Sequence, residues 1–134
     1  MIDKSWETIK KFNEKDVIEF AKLTGDNNRI HTDLDYAKNS IFGGTVVHGI
    51  FVASLFSKIF GKIFPGEGSI YLKQDLKFVA PVFVGDKIIA RVTLKEFKQK
   101  NFNGIFKCIC LNQNDEEVVL GSALIKFPKD FIYN

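Results

Sequence analysis

Apolar and polar positions follow two periods along this chain, and the change falls near Pro65-Gly66. Before it the spacing is mostly helical. Ser5 to Phe12, with Trp6, Ile9 and Phe12, predicts an opening strand. Asn13-Glu14-Lys15-Asp16 then has the form of a helix start, an Asn cap with an acid three residues on. Val17, Phe20, Ala21 and Thr24 recur at helical spacing, and Gly25 is a natural stop. Thr32-Asp33-Leu34-Asp35 reads as a capping box opening a short helix to about Asn39, and Gly43-Gly44 breaks the chain again. Gly49 to Phe64 is apolar on nearly every face, which predicts a helix buried all round. Within it Ala53, Ser54, Ser57 and Gly61 form a stripe of small residues that a sheet or a ligand can approach closely.

After Pro65-Gly66 the period becomes two. Ile70, Leu72, Leu76 and Phe78 share one parity and Lys73, Asp75 and Lys77 the other, the pattern of a half-buried strand. Lys87 to Phe97, Gly104 to Asn112 and Glu117 to Phe127 predict three more strands. Asn101-Phe102-Asn103-Gly104 and Asn112-Gln113-Asn114-Asp115 supply the turns between them. Strand, helices, one buried helix and an antiparallel meander make an α+β architecture in which a curved sheet wraps one helix. At 134 residues, with no linker or repeat, residues 1–134 read as a single domain.

Composition narrows the function classes. The net charge is +3, with basic and acidic residues interspersed and no run of like charges. That is too weak for a nucleic-acid footprint, although it suits a modestly anionic ligand. Fourteen Phe against one Trp suggest a greasy cavity or apolar interface, but biased codon usage would produce the same count. Cys108 and Cys110 point the same way in a strand and enclose too small a loop for a disulfide, so they read as reduced core thiols of a cytoplasmic protein. No signal peptide is visible after Met1. The longest apolar stretch contains Lys58 and Lys62 and falls short of the roughly 20 residues that span a bilayer, so no membrane is expected.

Both histidines of the chain fall in two short motifs, Asp26-Asn27-Asn28-Arg29-Ile30-His31 and His48-Gly49. Asp26 sits just past a helix end and His31 just before the next cap, so one tight loop can bring them to the same side. Gly49 opens the buried helix. Its N–H is one of the donors a helix start leaves unbonded, and such a terminus favours developing negative charge. Taken singly these features have plainer readings. Asp26-Asn27-Asn28 can be only a turn with Asx hydrogen bonds, and His48 a core or capping histidine. Two His and two Cys are not at ligand spacing, so no metal site is expected. Neither a phosphate-binding glycine loop nor a serine nucleophile elbow is present.

Gly25-Asp26-Asn27-Asn28-Arg29-Ile30-His31-Thr32-Asp33, followed by Phe42-Gly43-Gly44-Thr45-Val46-Val47-His48-Gly49, resembles the MaoC-like (R)-specific enoyl-CoA hydratases. The likeness continues through Ala53-Ser54-Leu55-Phe56-Ser57, Pro65 to Leu72 and Phe78 to Asp86, and covers about residues 10 to 128. It implies a hot dog fold, a homodimer whose sheets join, and reversible syn hydration of a trans-2-enoyl-CoA to the (R)-3-hydroxyacyl-CoA. It implies no cofactor and no metal. By the same resemblance Asp26 and His31 hold and activate the water, Asn28 helps to orient them, and the Gly49 amide stabilises the thioester oxygen. Ser57 and Phe60 would line the acyl pocket, with bulky Phe60 favouring short chains. Arg29 stands where the family usually has Pro and is a candidate contact to an anionic ligand. His48 is placed as a supporting residue at the substrate site.

Which of Asp26 and His31 is base and which acid is not decided by the residues. His31 has the natural pKa, whereas Asp26 would need surroundings of low polarity to act as an acid near neutral pH. Three other functions share the fold: a 3-hydroxyacyl-[acyl-carrier-protein] dehydratase, a hot dog thioesterase, and a non-catalytic acyl-CoA-binding module.

Overall fold

The computed structural model describes residues 1–132. Five strands form one antiparallel sheet in the order β1-β3-β4-β5-β2. They are β1 (Ser5–Lys11), β2 (Ile70–Phe78), β3 (Lys87–Lys98), β4 (Asn103–Leu111) and β5 (Glu117–Lys126). The period-two pattern fixes which side of the meander is buried. Ile88, Ala90, Val92 and Leu94 on β3, and Phe106, Cys108 and Cys110 on β4, all turn into one core. The two cysteines share that face as free thiols.

The long helix α4 (Gly49–Lys58) packs into this sheet, against β2, β3, β4 and β5. Val52, Leu55, Phe56 and Ile59 recur at helical spacing and are at most 5% exposed. The expectation of burial on every face needs correction, because Ile50 is 60% exposed and Ser54 and Ser57 are exposed too. The helix also ends earlier than its apolar run suggests: at Ile59–Ile63 the backbone widens into one π-helical turn. Strand β2 departs from its sequence pattern as well. It is an edge strand, and Ile70, Leu72 and Phe78 lie about half exposed instead of buried.

Helix α1 (Glu14–Thr24) begins and ends as read. The Asn13 side chain accepts from the Asp16 amide, and Gly25 adopts the left-handed conformation (φ 82°) that a non-glycine residue resists. The next segment differs. Arg29–Thr32 forms a helical turn, α2, capped by Asn28, whose Oδ1 accepts from Ile30 N at 3.2 Å. The cap of α3 (Leu34–Lys38) is Asp33, accepting from Tyr36 N, and not Thr32. Thr32 is already helical, which removes it from the capping role.

Between α3 and α4 the chain is pinned at three points. Val46 N donates to Ile30 O (3.0 Å), Val47 N to Val82 O (2.7 Å) and Val84 N to Thr45 O (3.2 Å). These bonds tie α2, the start of α4 and the segment after β2 to one another. No helix among the described residues is long and apolar enough to cross a membrane.

Candidate active site

The pinned loop brings the two motifs together. Asp26, His31 and His48 each place one ligand-type atom within 4.8 Å of the others. The imidazoles of His31 and His48 stack, with ring centroids 3.7 Å apart and planes 22° from parallel. His31 is half-buried, His48 is only 3% exposed, and Asp26 is exposed.

Hydrogen bonding sets the tautomer of each ring. His31 Nδ1 lies 2.7 Å from the Val46 carbonyl oxygen. A carbonyl only accepts, so Nδ1 carries the proton and Nε2 of the neutral ring keeps a lone pair. His48 Nε2 lies 2.9 Å from the backbone carbonyl of Asp26 and therefore donates to it, which leaves Nδ1 bare. That Nδ1 is buried and has no partner among the described residues. Burial holds the His31 pKa below its ordinary 6.5; the hydrogen bond to Val46 opposes this, His48 adds to it, and the Asp26 charge opposes it. His31 thus stands as a neutral ring with an available base nitrogen.

Gly49 supplies the second component. Among the described residues no carbonyl accepts from the N–H groups of Gly49, Ile50 or Phe51, and the first N–H bonded within reach of the helix is Val52 to His48 O. The His48 side chain occupies the capping position but forms no cap hydrogen bond, since it is turned to Asp26. His31 and Gly49 line one cavity of about 460 Å³ whose other walls include Phe42, Ile50, Val52, Phe78, Val82 and Val119. Small-molecule sites commonly span about 300–1,000 Å³ with mostly apolar walls and few polar groups. The cavity can seat an acyl group with its polar end between an imidazole and free amides.

The remaining candidates lie elsewhere. Asn28 spends Oδ1 on capping α2, and Arg29 pairs with Asp33 (3.1 Å) and lies over the Tyr36 ring (4.4 Å). Neither lines the cavity. Phe60 is a core residue, 2% exposed, packed on Phe106 and Tyr71. Ser57 lies in a shallower apolar depression on the outer face of α4, with Ala53, Tyr71 and Leu76. Ile50 borders both hollows. Sequence reading missed Val46, whose contribution is a backbone carbonyl, and Phe78, which roofs Gly49; neither carries a polar signal.

Asp26, His31 and His48 are also the one group of metal-type ligands close enough together among the described residues. The stack argues against chelation. Two nearly parallel rings with centroids 3.7 Å apart send their lone pairs along separate, nearly parallel planes, whereas an ion at about 2.0–2.1 Å from both nitrogens would stand out of each plane.

The description of a MaoC-like domain matches residues 2–114. The chain belongs to the MaoC-like family. This MaoC-like domain is 38% identical over 119 residues to the (R)-specific enoyl-CoA hydratase of Aeromonas caviae, covering 89% of both chains. It is 38% identical over 120 residues to the 3-hydroxybutyryl-CoA dehydratase of Methylorubrum extorquens, covering 90% of this chain and 76% of that one. Among solved structures it is similar to the (R)-hydratase of A. caviae involved in PHA biosynthesis. That match has a TM-score of 0.93 and 35% identity, and covers 96% of this chain and 97% of the other. The MaoC-like domain therefore has the hot dog fold, with α4 as the wrapped helix.

Proposed function

We propose that this chain is an (R)-specific enoyl-CoA hydratase, a hydro-lyase that reversibly adds water to a trans-2-enoyl-CoA. One observation carries the reading: His31, whose Nε2 is left bare, and Gly49, whose amide has no carbonyl partner among the described residues, line the same apolar cavity. The thioester oxygen accepts from Gly49 N–H, and the helix start stabilises charge as it develops there, an effect worth about 10²–10³-fold per donor in comparable sites. A water held between Asp26 and His31 gives a proton to Nε2 while its oxygen bonds to C3. The C2–C3 π electrons move to the thioester oxygen as an enolate. The enolate then collapses and C2 takes the proton back from Nε2. One imidazole serves one face of the substrate, so both new bonds form syn. Such positioned proton transfer contributes about 10²–10⁴-fold. In this scheme His31 is base and then acid, and Asp26 orients the water. The exposure of Asp26 supports that division, because this chain alone does not give it the low-polarity setting an acid would need. The reaction so written consumes only water and calls for no cofactor.

The reading includes a homodimer. The half-exposed Ile70 and Leu72 on edge strand β2 support it, as does Ile50. A partner subunit would cover the depression at Ser57, which then continues the acyl site past Ile50, with Phe60 beneath Tyr71 as its support. The chain is further read as a single cytoplasmic domain, in keeping with two unpaired buried thiols.

The test follows loss of the conjugated thioester absorbance with crotonyl-CoA for wild type, Asp26→Asn and His31→Gln, and assigns the product with (R)- and (S)-specific dehydrogenases. Wild type should yield the (R) alcohol, with both variants down at least a hundredfold. Equal rates for all three would remove the site assignment. An inactive wild type across short and medium chains would remove the function, and faster turnover of crotonyl-acyl-carrier-protein would reassign the carrier.

A further inference from the structure

The two histidines form a reciprocal latch. His31, from the first motif, donates through Nδ1 to the Val46 carbonyl of the second (2.7 Å). His48, from the second, donates through Nε2 to the Asp26 carbonyl of the first (2.9 Å). The two rings stack, and Phe20 of α1 also packs on His48 with centroids 4.8 Å apart. The same ring is the residue before Gly49, so its backbone leads directly into the free amides of α4. Every group the proposed reaction uses is thereby tied to His48: Asp26 through its carbonyl, His31 through its ring face, Gly49 through the chain.

We propose that His48 is a positioning residue for the hydration, acting as the Nε2–H tautomer to hold Asp26 and His31 in register with the Gly49 amide. This rests on the hydratase reading of the site. A histidine kept only for packing has no need of this arrangement. Its Nδ1 is left buried without a partner, and its side chain is withheld from the helix-capping role its position offers. Ser, Thr, Asp or Asn at that position would ordinarily cap α4. The tautomer follows from its partner: the Asp26 carbonyl can only accept, so Nε2 must donate. A second proton on Nδ1 would stand buried, without an acceptor, against a ring that must itself take up a proton during turnover. The groups that face His31 are His48 from the start of α4 and Asp26 from the loop after α1; on its own element Arg29 and Asp33 neutralise each other.

Two variants separate the hydrogen bond from the ring. His48→Gln keeps an N–H able to reach the Asp26 carbonyl, and His48→Phe keeps the stack without it. A displacement of about 1 Å can cost on the order of a hundredfold in rate. His48→Phe should lose ten- to a hundredfold in kcat with KM within about twofold, and His48→Gln should recover most of that loss. Equal impairment of both, an effect on KM alone, or unchanged kcat would each overturn the assignment. A second readout needs no turnover. Long-range proton–nitrogen NMR of the folded protein should show two neutral imidazoles of opposite tautomer, with the Nε2–H form assigned to His48 by its loss in either variant. Finding His48 as the Nδ1–H tautomer overturns the proposal even if wild type proves inactive on crotonyl-CoA, which would by itself count only against the hydratase reading.

Discussion

Gly49 lies so close beneath the Phe78 ring that a Cβ at Gly49 would stand 2.6 Å from two ring carbons. Its backbone is helical, so glycine is required here for space and not for conformation. The Gly49→Ala variant must displace Phe78, which is half exposed and can swing. The displaced ring and the new methyl both crowd the amide that would meet the thioester oxygen. We expect kcat/KM on crotonyl-CoA to fall about tenfold to a hundredfold, less than the roughly 10²–10³-fold for losing an oxyanion donor outright, because the amide is crowded and not removed. Adding Phe78→Ala should return part of the loss. No rescue would mean that the cost lies outside this contact.

The lowered pKa of His31 predicts a pH dependence of stability with a definite sign. Above 6.5 neither the folded nor the unfolded chain holds the proton on this ring, and its contribution is complete. As pH falls from 6.5 toward the lower folded value, the unfolded chain takes up a proton that the native ring resists, so stability drops. Below the folded value the loss is finished and the curve flattens with respect to this group. Urea unfolding of wild type and His31→Gln across pH 4.5–7.5 (a window set about the ordinary histidine pKa) should show a steeper acid decline in wild type. Parallel curves would sink the prediction.

Gly121 on β5 pairs with Leu76 on β2, and a Cβ there would meet the Asp75 carbonyl oxygen at 2.1 Å. The obstacle is backbone, so it cannot rotate away. Gly121→Ala should force β2 off β5 and destabilise the fold by about 3 kcal/mol, the upper end for an overpacked site. A lowered denaturation midpoint with unchanged slope is the expected result. A midpoint within error of wild type would show that the strands absorb the methyl.

Edge strand β2 provides a test of assembly. Ile70 and Leu72 are 53% and 47% exposed, large apolar side chains that a lone chain would leave in water. Ile70→Lys with Leu72→Lys should convert a dimer to monomer in sedimentation velocity and reduce hydration more than it reduces the unfolding midpoint. A double variant still dimeric would place the interface elsewhere.

The meander was legible because strands half buried on a helix must alternate, as Ile88 to Leu94 do. The first motif was legible because Asp26 and His31 flank a helix stop and a helix start. The α2 turn was not, because Asn28 and Asp33 cap two successive turns whose signals overlap within six residues, and Thr32 mimics a cap. The exposure of β2 was hidden for a different reason. An apolar stripe marks a surface that will be covered, and the pattern alone does not say whether by its own chain. The cavity walls escaped for a third: Val82 and Val119 look like any core valine until the fold sets them around the cavity that His31 also lines.

The start of α4 has an energetic consequence. A side-chain cap there would contribute about 1 kcal/mol to the folded chain. His48 forgoes it, and Gly49 and Ile50, which line the cavity, have N–H groups with no protein acceptor among the described residues. The fold is therefore less stable on its own than its sequence length and core would allow, by an amount that a ligand oxygen can restore. Thioesters that fill the position should raise the melting temperature more than free coenzyme A does, by an amount that grows with the logarithm of ligand concentration over Kd. The protein's thermal stability becomes a gauge of how well an acyl group fits.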